Sequence, residues 1–60
     1  MHATQIHEYA RRLLEVHGDK AAVEAAQKAV AFEEAGDREQ AQIWRQVEAA
    51  VLLMRGPRQS

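Results

Sequence analysis

Glycine is followed by aspartate twice, at Gly18-Asp19 and Gly36-Asp37, eighteen residues apart and with alanine-rich sequence around both pairs. Glycine enters the left-handed backbone region without a Cβ penalty, so it commonly ends a helix. Aspartate is a favoured first residue of the next one, because its carboxylate accepts hydrogen bonds from free N–H groups there. A Gly-Asp pair between helix-forming segments therefore stops one helix and starts another with almost no loop. The punctuation predicts helices over about 4–17, 19–35 and 37–55. Thr4 is the expected first N-cap. Gly56-Pro57 ends the third helix and leaves Arg58-Gln59-Ser60 as a frayed tail. Gln40 follows Asp37 at the spacing of a capping box. Ala22 holds the equivalent place after Asp19, so the first corner should be capped more weakly.

Between the corners, alanine, glutamate, glutamine, arginine and leucine dominate, and these are strong helix formers. The expected fold is all-α: one small domain over 1–60, an antiparallel three-helix assembly with tight Gly-Asp corners. At ~100° per residue, apolar faces can be assigned. In the first helix Ile6, Tyr9, Ala10, Leu13, Val16 and His17 share a stripe, with Leu14 at its edge. In the second, Val23, Ala26 and Val30 form one stripe and Ala22, Ala25, Ala29 and Phe32 the next. Such a wide face suits a central helix touching two neighbours. In the third, Gln40, Ile43, Trp44, Val47, Ala50, Val51 and Met54 form a seam near the spacing of coiled coils. Leu52 and Leu53 fall off that seam.

Size sets the next bound. Sixty residues bury a small core, rarely worth more than ~3–5 kcal/mol alone. There is no cysteine, so disulfides and thiolate metal sites are excluded. Oligomerisation or a larger partner remains as the means of support. The net charge is −1 with both signs interleaved, which disfavours a nucleic-acid partner. No apolar run approaches the ~20 residues of a membrane span. Glu8, Arg11, Arg12 and Glu15 interrupt any signal-peptide core. The expected location is cytoplasmic.

The segment "AVAFEEAGDREQAQIWRQVEAAVLL" resembles a tetratricopeptide helical hairpin, a likeness placed at about 25–51. Small residues precede the turn, Gly36 occupies it, and Ala41, Trp44 and Ala49-Ala50 follow. The family's Trp-Leu-Gly-Tyr spacing is missing, and one hairpin with one extra helix forms little of the peptide groove that such arrays use. The whole chain is also similar to short uncharacterised bacterial helical proteins with the string "HGDKA…EAAQKA…WR…RGP". That likeness implies no particular activity.

Chemistry-bearing residues are sparse. His2, His7 and His17 are the imidazoles, and none has the helical spacing of a metal site. His17 suits a helix C-terminus, where a partly protonated ring complements the dipole. Glu33, Glu34, Asp37 and Glu39 make an acidic corner. Glu33 and Glu34 stand at the unfavourable negative end of the second helix, with Arg38 or Arg45 in reach of Glu33. The corner is too short for a calcium loop. Thr4 and Ser60 are the only aliphatic hydroxyls, and neither pairs with a histidine in the chain. No catalytic residue, cofactor site or metal site is expected.

The surplus of apolar residues at the end of the third helix is the more informative feature. A seam of Ile43, Val47 and Met54 does not also need Leu52 and Leu53, and exposed apolar clusters mark interaction sites. The expected function is a non-enzymatic protein–protein interaction module: a small homo-oligomer, with a dimer favoured, or an accessory subunit of a larger protein. Its expected interface is Ile43, Trp44, Val47, Val51, Leu52, Leu53 and Met54. The alternative is a nucleic-acid-associated regulator using Arg11, Arg12 and Arg55. A third is a small enzyme with a site around His7 and Glu8 shared between chains.

Overall fold

The computed structural model describes residues 3–56. Pro57 and the expected tail, including Arg58 and Ser60, lie outside these, as does His2. The described residues are almost all helical, with no strand among them. Helix α1 spans Ala3–His17, a 3₁₀ turn spans Gly18–Lys20, α2 spans Ala21–Ala35 and α3 spans Arg38–Arg55. The first three elements follow one another without a gap. The helical residues thus form two runs, 3–35 and 38–55, and not the three separate helices expected.

The two corners differ for a local reason. At the second, Gly36 adopts φ +83° and ends α2. Its N–H donates to the Glu33 carbonyl at 3.1 Å, and the Asp37 N–H donates to the Phe32 carbonyl at 2.9 Å. This paired pattern is a Schellman motif, which satisfies carbonyls that the helix end would leave free. Asp37 then caps α3, with its Oδ1 accepting from the Gln40 N–H at 3.1 Å. The reciprocal half of the expected capping box is absent, because the Asp37 N–H is already engaged behind it.

At the first corner Gly18 also takes positive φ, +59°. Hydrogen bonding nevertheless resumes at once, with the Ala21 N–H reaching the Gly18 carbonyl. Asp19 is held inside the turn and does not cap α2. Lys20 occupies that position and its side chain caps nothing. Thr4, expected as an N-cap, lies inside α1.

Packing also departs from the expected roles. Helix α3 makes the most extensive contact with α2, forming a helical hairpin, and α1 lies against α3 more than against α2. The central helix is therefore α3. Its Val47 and Val51 are fully buried. Around them pack Ile6 and Ala10 of α1 and Ala21, Ala22 and Ala25 of α2, with Leu13, Leu14 and Trp44 half-buried at the edge. Among the described residues, seven of the ten buried hydrophobic residues are alanine. Each transfers little apolar area, so the core is thin even for its length. Only the Ala22–Ala25–Ala29 stripe of α2 is fully covered, whereas Val23 and Val30 face outward. On α1, Val16 and His17 are exposed and Leu14 takes their place in the packing.

Candidate interaction surface

The seven residues expected as an interface are divided by the fold. Val47 and Val51 are consumed by the chain's own core, and no partner can reach them. Ile43 and Trp44 are half-buried. Leu52, Leu53 and Met54 remain open, at 49%, 78% and 37% exposure. On a helix, Leu52 and Leu53 point about 100° apart, so no single sister helix can cover both. Leu53 borders a groove with Ile6 and His7 of α1 and Ala49 of α3. Beside them, Arg55 ends α3, where a cation complements the helix dipole.

A second open apolar surface runs along α2. Val23, Ala26 and Val30 line a groove of about 490 Å³ whose charged members, Glu34 and Glu48, are both acidic. The pattern at 23, 26 and 30 was legible as a stripe. Periodicity gives a face but does not say whether a neighbour covers it, and here α1 went to α3 instead.

Trp44 ties the three helices together at one edge of the core. Its ring meets Tyr9 of α1 edge-on, with centroids 5.2 Å apart and planes at 60°. Lys28 of α2 places its Nζ 5.9 Å from the Trp44 centroid, within cation–π range. Both aromatics thus serve the packing of the chain.

The acidic corner is partly neutralised from α3. Of the two arginines in sequence reach of Glu33, Arg45 makes the contact. Its Nε lies 3.3 Å from Glu33 Oε2, and its Nη1 lies 3.2 Å from Glu48 Oε1. The hydrogen bond to Glu33, then that to Glu48, raises the guanidinium pKa above its ordinary value. Arg45 is therefore a fixed positive charge. Both ion pairs are exposed and add little stability; the Glu33 pair joins α3 to α2, while the Glu48 pair lies within α3 and holds the guanidinium in place. Glu34 and Arg55 have no ion pair among the described residues.

The remaining candidates are scattered. His17 Nδ1 lies 3.6 Å from Glu24 Oε2 at the first corner. His7 and Glu8 are exposed on α1, where Glu8 and Glu15 flank Arg11 and Arg12. Positive charge is therefore not concentrated on that face. No group of three or more acidic or histidine side chains that could hold a metal occurs among the described residues. No described helix is long and apolar enough to cross a membrane. Comparison of the chain with protein-family models, curated proteins and solved structures finds no match.

Proposed function

We propose that this chain is a non-enzymatic protein–protein interaction module that docks through the exposed end of α3, as a homodimer in the first instance. The observation that carries the reading is the position of Leu52, Leu53 and Met54. They are large apolar side chains held in water at the end of a helix whose inner face is already satisfied. Full burial of such a side chain is worth ~1.5–3 kcal/mol, and each forfeits the share that corresponds to its exposed fraction, most for Leu53. The thin alanine core leaves little stability to set against that loss.

A second copy is the simplest cover for such a surface, because two-fold pairing is the commonest assembly of small soluble chains. Charges at the rim, Arg55 among them, would set orientation more than affinity. A Leu53→Glu variant tests the proposal. Because Leu53 is 78% exposed, the substitution should leave the helical content of the chain intact. Light scattering after size exclusion should give twice the chain mass for the parent and one chain mass for the variant. Equal masses for the two proteins would sink the role assigned to the α3 end.

A further inference from the structure

The two open apolar surfaces carry opposite charge at their edges. The end of α3 presents Leu52 and Leu53 to solvent, with Arg55, which has no ion pair among the described residues, one turn or less away. The groove on α2 is a shallow, open apolar surface lined by Val23, Ala26 and Val30, and its charged members are Glu34 and Glu48. Ala26, between Val23 and Val30, lets another helix approach closely. Glu48 is already engaged by Arg45, but Glu34 has no ion pair among the described residues. Glu34 also stands in the last turn of α2, which contains no basic residue of its own, and Arg45 reaches Glu33 rather than Glu34. A cation delivered there relieves a charge that no described residue compensates.

We infer that the α2 groove is the receptor for the Leu52–Leu53 end of α3 of a second copy, with Arg55 of the incoming helix pairing with Glu34. This rests on the proposed docking through α3 and names the surface that receives it. Each chain carries both halves of the contact. A pair related by a two-fold axis therefore makes it twice, and both halves are satisfied at once. The arrangement covers the outward valines of α2 and the outward leucines of α3 together. An α3-on-α3 contact would leave the groove open and would set Arg55 near its own copy.

Charge reversal on the intact chain separates these arrangements. An exposed ion pair is weak, but the contact occurs twice and reversal replaces attraction by repulsion, so Glu34→Arg and Arg55→Glu should each weaken self-association ~10-fold. Sedimentation equilibrium at low salt reads this directly. The double variant Glu34→Arg/Arg55→Glu should return to within about threefold of the parent, since opposite charges face each other again. Val30→Glu, at a position already exposed in the single chain, should block the groove without loss of helicity.

Recovery in the double variant, with dissociation by Val30→Glu, establishes the contact. If Leu53→Glu dissociates the protein while Glu34→Arg and Val30→Glu do not, the groove is not the receptor, although docking through α3 stands. If the double variant is weaker than either single one, the Arg55–Glu34 pairing is wrong.

Discussion

Replacing Gly36 by valine should destabilise the chain through the backbone alone. Gly36 sits at φ +83°, ψ +10°, as the left-handed residue that closes α2. A Cβ built there meets no heavy atom within 4 Å. Steric collision with neighbours is therefore not part of the cost. What remains is the intrinsic penalty of ~1–2 kcal/mol for an L-residue in this region, with a β-branched side chain at the upper end. Removing a glycine also restricts the unfolded chain, which returns about 0.4–1 kcal/mol. The net loss for Gly36→Val should be ~1 kcal/mol. In a domain with ~3–5 kcal/mol to lose, that is a large fraction. It corresponds to a fall of about 4–8 °C in melting temperature for a chain of this size. Gly36→Asn should lose less, because asparagine tolerates the left-handed region better than other side chains. Circular dichroism melts of the three proteins decide the matter, at one fixed protein concentration, since self-association makes the midpoint depend on concentration. A Gly36→Val protein that melts with the parent would refute the reasoning, as would an asparagine variant as unstable as the valine one.

Four further substitutions probe the packing and the caps. Asp37→Ala should cost ~0.5–2 kcal/mol in urea denaturation, because the Gln40 N–H loses its acceptor. Asp19→Ala should stay within about 0.5 kcal/mol, because no helix start depends on it; equal losses would show that the 3₁₀ turn is misassigned. Val47→Ala removes two methyl groups from a fully buried site and should cost ~2 kcal/mol, while the same truncation at the exposed Val16 should be nearly neutral. Midpoints ranked the other way would mean that α1 presents a different face to the core.

The sequence alone made the second corner readable and the first only half so. At Gly36-Asp37 both residues act as their types prefer, and each step is local: a left-handed glycine, then a carboxylate three residues before a free N–H. At Gly18-Asp19 the glycine conformation follows the same rule, but the backbone continues into a 3₁₀ turn and starts α2 two residues later than expected. Whether a turn propagates depends on how the flanking helices pack, which local preference does not contain.

Burial shows the same division. The alanine stripe of α2 and the Val47–Val51 stripe of α3 could be seen in the periodicity, because both repeat at helical spacing and are apolar throughout. Periodicity could not reveal that α1 leans on α3. That choice leaves Val23 and Val30 uncovered and makes α3 the central helix. Leu52 and Leu53 were legible as a surplus because they fall off the seam. Their exposure follows from geometry, since two sister helices cannot surround a third. The α2 groove was not foreseen as open, yet its signal was present: a second apolar stripe on a helix with only one close neighbour.

The most direct measurement is the mass of the native protein by sedimentation equilibrium from the submicromolar to the hundred-micromolar range. Docking of a second copy requires a species of twice the chain mass at the upper end, dissociating to single mass on dilution. A chain that stays at single mass across the whole range would contradict it.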